Sequence, residues 1–489
     1  MKKNFISFSR WALIVAIGSL LTFSCKDDDT TEPSTPDDGD TEEPDPNIAV
    51  NEWIQDVMEQ VYYWSASMGT PLALESDPND YFNELLVAED RFSVIYPNYD
   101  ELVALLSGVQ KEAGYDFGLV RASAESEQVV AVITYVKKNS PAESAGLRRN
   151  DRIYEVNGTE LSTTNYSSVF GNTDVAHSLT ISRYNAETGA FAFLAEPVSV
   201  DVVELTENPV FLDSVYTIGD KKIGYIVYNF FAPGAPVSSD YEVVYGAYDA
   251  QLDEIFGDFI SKGVNEMILD LRYNGGGYTS SAVHLASSLG KGISSSDVFY
   301  TNEYNDLLQG YFTQNNGPDF FTNNFVDKPN NIGAHLSSGN LFVIATRQSA
   351  SSSELVINGL KPYMNIIHIG STTYGKNVGS TTFQDTENED NHYGLLPIIF
   401  KTFNKNNESE YSLGFDPDVS VSEYDNNVFL YPLGDSREVL LNVALDYIVN
   451  GEISAGARIN RNPVEQLGSS QQLHPRFGTM IESEDKFPH

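Results

Sequence analysis

Three short stretches of this chain place residues able to do chemistry where an apolar run gives way to polar or glycine-rich sequence. In the first, Leu269-Asp270-Leu271-Arg272-Tyr273-Asn274 runs into Gly275-Gly276-Gly277. Consecutive glycines weaken any regular element, so either the turn is merely flexible or the backbone must approach something closely. An oxyanion hole makes such a demand, because it needs bare N–H groups aimed at developing negative charge. The second stretch is Ser349-Ala350-Ser351-Ser352-Ser353-Glu354. A serine there either caps the helix that follows, its ordinary use, or stands as a nucleophile beside helix-terminal N–H groups. The third is Thr373-Tyr374-Gly375-Lys376-Asn377-Val378-Gly379-Ser380. A lysine is usually solvated; it becomes a general base only if burial among apolar groups draws its pKa well below about 10. Tyr374 and Val378 flank Lys376 as part of such a wall.

All three stretches need rigid elements to hold them. From about Lys221 the pattern alternates: strands are expected over Lys222–Tyr228, Glu266–Leu271, Leu341–Ala345 and Ile366–Ile369. Helices are expected through Leu252–Ile260, Ser280–Leu289 and Ser353–Leu360. Strand alternating with helix argues an α/β core with its chemistry at strand-to-helix turns. Upstream, Trp53, Ile54, Val57, Met58 and Val61 share one helical face, and a second helix is expected through Tyr81, Leu85 and Leu86. This N-terminal region reads as a small helical domain without chemistry.

Between these regions lie short strands and turns. Val129–Val136 is a β-branched run, Ser140-Pro141-Ala142-Glu143-Ser144-Ala145-Gly146-Leu147 is a short helix ended by glycine, and Asp151–Val156 is a strand entering an Asn157-Gly158 turn. Together they resemble a PDZ domain. The resemblance implies that Phe117, Gly118 and Leu119 present backbone to an added peptide strand. Asp116 stands where the PDZ loop carries its first glycine, and a carboxylate there disfavours a carboxylate ligand, which leaves a gating or purely structural PDZ domain open beside substrate recruitment.

Taken in order, the three junctions and the PDZ-like segment resemble the C-terminal processing (tail-specific) peptidases over about residues 113–422. That resemblance implies Ser351 as nucleophile and Lys376, 25 residues later, as its base. It also implies the N–H groups of Ser352 and Gly276 as the oxyanion hole. Many members carry a glutamine four residues after the lysine; Ser380 occupies that place as a shorter support for the base. Polypeptides are the implied substrates, and no cofactor or metal is required. The implied fold is multidomain α+β: an N-terminal helical domain (48–112), a PDZ-like β domain (113–205), an α/β protease core of the ClpP/crotonase-like type (206–455) and a polar, loosely ordered C-terminal tail (456–489). The alternative is a non-catalytic surface lipoprotein that holds peptides on the same fold. The seven histidines are scattered without metal-ligand spacing; His368 is the first alternative partner for Ser351.

The ends and the composition fix the setting. Lys2, Lys3 and Arg10 precede an apolar run, Trp11–Leu21, too short to span a bilayer, and the chain's single cysteine, Cys25, follows it. One cysteine cannot form an internal disulfide. Its position resembles a lipobox, which implies a signal over 1–24, a lipidated Cys25 and anchoring in the outer membrane. The stretch 25–47, rich in acidic residues and Pro, Ser and Thr, is a solvated tether. Lys26 followed by Asp27, Asp28 and Asp29 resembles a surface-export signal, so display on the outer face of the cell envelope is expected, with a periplasm-facing anchor as the alternative. A net charge of −40 argues against nucleic acid as a partner.

Overall fold

The computed structural model describes residues 45–123, 125–234, 246–424, 429–452, 466–473 and 476–482. The signal, Cys25 and the tether as far as residue 44 lie outside them. The first helix, Pro46–Val61, begins within the last residues assigned to the tether. Asp45 explains this, because its carboxylate accepts from the Asn47 N–H at 3.0 Å and Pro46 fills the first turn, where its missing N–H costs nothing.

The N-terminal helices do not close a core of their own. Ile54, Met58, Tyr81, Phe82 and Leu85 pack with Val378, Leu395 and Ile398 from the far end of the chain. The strand Val94–Tyr96 pairs antiparallel with Gly394–Leu396. The helical segment is thus a wall of the larger body, a role its helical periodicity could not reveal.

Antiparallel strands Tyr115–Arg121, Val129–Val136, Arg152–Val156 and His177–Asn185 form the PDZ-like sheet around Leu119, Ile133, Ile153 and Ile181. Ser140 caps the short helix Pro141–Ser144 by accepting from the Glu143 N–H at 3.1 Å. Asn157 and Gly158, both at positive φ, make the expected tight turn.

Two six-stranded sheets follow. One runs Val210–Ile218, Lys221–Tyr228, Glu266–Asp270, Asn340–Ala345, Asn365–Gly370 and Val419–Ser420, parallel after the first antiparallel pair. The other runs Gly276–Tyr278, Thr479–Ile481, Val378–Ser380, Ile398–Phe403, Val298–Tyr304 and Thr322–Asn324. Helices Thr279–Leu289 and Ser352–Leu360 share a single core with strands of both sheets through Leu285, Leu355, Leu269, Phe400 and Met480.

The C-terminal stretch departs from the loosely ordered tail expected of it. Gln466–Ser469 joins the PDZ-like sheet beside Tyr115–Arg121, and Thr479–Ile481 lies inside the second six-stranded sheet. Open strand edges recruited it through backbone pairing, which needs no apolar periodicity.

Candidate active site

Each chemical residue sits where a strand ends. Beyond Asp270, the fully buried Arg272 clamps that carboxylate together with Glu438 and Glu423, so these charges serve the scaffold. Past them the glycines form a strand of their own. Gly276 and Gly277 have φ of +113° and +133°, and a Cβ on Gly276 would lie 2.2 Å from the Thr479 carbonyl oxygen and 2.9 Å from the Ser351 Cβ. The triple glycine therefore answers a demand for close approach, to the C-terminal strand on one side and to Ser351 on the other.

The serine motif is bonded to that glycine turn by its own hydroxyls. Ser349 Oγ donates to the Leu271 carbonyl at 2.7 Å, Ser352 Oγ to Gly277 at 2.7 Å and Ser353 Oγ to Asn274 at 2.9 Å. Ser351 Oγ alone of these four is left without a hydrogen-bond partner among the described residues, although it is fully buried. Ser351 also sits at φ +61°, ψ −112° immediately before the helix Ser352–Leu360. A non-glycine residue at positive φ is strained, a feature that clusters at functional sites.

A single carboxylate, that of Glu354, joins the serine and lysine turns. Glu354 Oε2 accepts from the Ser351 N–H at 2.9 Å and from the Lys376 N–H at 2.8 Å; Oε1 accepts from the Gly375 N–H at 2.7 Å and from Thr373 Oγ1 at 2.5 Å. One oxygen thus holds the backbones of both candidate catalytic residues. The Ser351-x-x-Glu354 spacing of a capping box was the available signal. Burial pushes the Glu354 carboxyl up to about 7 against the downward pull of these donors.

Lys376 is 1 % exposed. Burial drives its pKa down to about 7, and Asp90 and Glu354 oppose the shift only in part. Phe92 stands under the amine, its ring centroid 4.7 Å from Nζ. Phe92 belongs to the N-terminal region to which no chemistry was assigned, so that assignment is corrected. Tyr374 stands behind, against Phe92 and Phe477.

Two expected supports are placed differently. Ser380 Oγ makes no hydrogen bond among the described residues, and Lys376 Nζ instead donates to the Gly478 carbonyl at 2.5 Å. A serine side chain is too short to replace the longer amide, and the incoming C-terminal strand supplies an acceptor. The Gly276 N–H is directed to Asn274 Oδ1 at 2.9 Å, not to an open oxyanion position. Asn274 is fixed in turn by donating to the Tyr228 carbonyl, so Gly276 is a donor only if this turn rearranges. Ser352, as the first helical residue, has no intrahelical acceptor for its N–H. His368 bonds the Ala345 carbonyl at 3.1 Å, and none of its bonds reaches Ser351. Phe117, Gly118 and Leu119 lie on the strand that Gln466–Ser469 joins.

Residues 222–421 match the model of peptidase family S41, residues 49–94 that of the peptidase S41 N-terminal domain and residues 132–179 that of a PDZ domain. The chain is 21% identical over 397 residues to a carboxyl-terminal-processing protease of Picosynechococcus sp., covering 80% of each protein. It is 22% identical over 388 residues to a Staphylococcus aureus protein named as a CtpA-like serine protease, covering 76% of this chain and 68% of that one. Among solved structures it resembles a Bacteroides fragilis protein assigned as an S41 protease, at 26% identity and a TM-score of 0.64, over 82% of this chain and 97% of that one.

Proposed function

This chain belongs to peptidase family S41, as a serine-type peptidase with a PDZ domain, and on that premise we propose that it cleaves polypeptides through Ser351 and Lys376. The observation that carries the assignment is a buried amine with a pKa near 7 whose backbone N–H shares one carboxylate oxygen with that of Ser351. At neutral pH a large fraction of such an amine is unprotonated.

Neutral Lys376 takes the hydroxyl proton as Ser351 Oγ attacks the scissile carbonyl. The oxyanion is held by the Ser352 N–H at the helix start, joined by the Gly276 N–H once the glycine turn rearranges to release it from Asn274. Collapse expels the amine, which leaves with the proton from Lys376; water then adds to the acyl-enzyme and frees the acid. Lys376 Nζ must swing from Gly478 towards Ser351 for the first step. Casein cleavage by the wild type, lost in Ser351→Ala and Lys376→Ala, is the expected result; equal cleavage by all three proteins removes the dyad.

The same reading assigns exported or surface polypeptides as substrates, because lipidated Cys25 would hold the enzyme on the cell envelope. Radiolabelled palmitate should enter the wild type and not Cys25→Ser. Release of unmodified wild type into the soluble fraction would overturn the anchor.

A further inference from the structure

The edge of the PDZ-like sheet is occupied by the chain itself. Gln466–Ser469 runs antiparallel to Tyr115–Arg121, with Ser469 opposite Gly118 and Gly468 opposite Leu119. Leu467 packs on the PDZ core. The run ends at Ser470, whose N–H donates to the Phe117 carbonyl at 2.9 Å. Ser470 Oγ accepts from the Phe117 N–H at 2.9 Å and donates to Asp116 Oδ1 at 2.6 Å. A hydroxyl can do both; a terminal carboxylate could only accept, and would face Asp116 with like charge.

The surroundings reinforce this choice. Glu112, Asp116 and Glu207 converge on Lys137, whose Nζ is 2.7, 3.6 and 3.1 Å from them. Glu207 is also paired with Arg476 at 2.7 Å, a cation that the C-terminal segment brings with it. Three acids against two cations leave no charge to welcome another carboxylate. Two residues past Arg476, Gly478 receives the Lys376 amine, and Arg476, Phe477 and Thr479 line the narrow space in front of Gly276. A cavity of about 210 Å³ beside Phe117, Phe170, His177, Ser470 and Leu473 leaves the groove only partly filled.

We propose that residues 466–470 are a resident internal ligand of the PDZ groove, and that this groove selects a strand bearing a hydroxyl at the Ser470 position over a free C-terminal carboxylate. A substrate strand must displace this segment, and the displacement loosens the stretch that brings Gly478 to Lys376 and Thr479 to Gly276. The consequence for catalysis rests on the peptidase reading; the binding claim does not.

The test uses the full chain carrying Ser351→Ala, so that cleavage plays no part. A release variant adds Leu467→Asp and Ser470→Ala. Fluorescent peptides of residues 464–470, ending either as the amide or as the free acid, are titrated against both proteins. The amide should bind the release variant at least tenfold more tightly than its parent, and at least tenfold more tightly than the acid does. Adding Asp116→Gly should narrow the amide-to-acid preference. No gain on release, or an acid that binds as well as the amide, overturns the proposal. Should the release variant fail to fold, hydrogen exchange on the Ser351→Ala chain decides: excess amide peptide should deprotect residues 476–478, and unchanged protection there overturns it.

Discussion

In the proposed mechanism the proton acceptor is a lysine whose pKa burial draws down to about 7. Because Lys376 titrates near 7, kcat/KM should rise with pH along a limb centred close to that value, and Lys376→Arg should be inactive because a guanidinium stays charged. A steady-state pH profile checks both. The same shift predicts a stability effect of definite sign. Unfolded lysine holds its proton up to about 10.5, whereas the folded residue releases it near 7. The burial penalty is therefore fully present below pH 7 and fades as pH rises between those values. Lys376→Met should stabilise the protein most at pH 6 to 7, with the gain shrinking by about 1.4 kcal/mol per pH unit above that. Urea titrations at several pH values measure it. Glu354 acts in the opposite window: its carboxyl keeps its proton in the fold up to about 7, against 4.5 unfolded, so its contribution falls as pH rises between the two. Glu354→Ala strands four donors and should cost roughly 3 kcal/mol or more, with kcat falling more than KM changes.

At the level of elements, the candidate active site is a meeting of two turns and one borrowed strand. The glycine strand Gly276–Tyr278 fits between Phe231 on one side and Thr479 on the other, with no room for a side chain. Gly277→Ala would set a methyl 2.1 Å from the Phe231 carbonyl oxygen at a φ that L-residues avoid. It should lower thermal stability by about 2 kcal/mol or more and activity with it, as read by calorimetry and casein cleavage. An alanine at Gly146, also at positive φ but with open space around it, should cost only about 1 kcal/mol and leave cleavage intact.

Across the whole molecule, buried charges bind the PDZ-like domain to the protease core. Arg149 of the PDZ-like domain reaches Glu423, which Arg272 also holds, and Arg272 reaches Glu438 at the start of the helix Val439–Asn450. Removing one member leaves its partners charged and dry. Arg272→Ala leaves three buried acids, Asp270, Glu423 and Glu438, against Arg149 alone, so it should destabilise by about 3–5 kcal/mol, and the loss should register in unfolding followed from either domain. Replacing Arg272, Asp270 and Glu438 together by apolar residues should cost less than that single change, because no unpaired charge remains.

Much of this was legible in the residues themselves. Apolar spacing located the helix Thr279–Leu289 and the strand Glu266–Asp270, because both bury side chains at a period that survives in sequence. The three junctions stood out since glycine runs, serine clusters and a flanked lysine are compositional facts. Which serine lacks a partner was not legible: four hydroxyls look alike until three of them find carbonyls on a neighbouring turn. The second protease sheet was hidden because several of its strands are only three residues long, too short for any pattern. Phe92 beneath the amine, Gly478 in front of it and the strand laid on the PDZ edge come from sequence separations of about a hundred residues or more. Long-range backbone pairing and desolvation exist only once the chain has closed, so tertiary structure alone decided them.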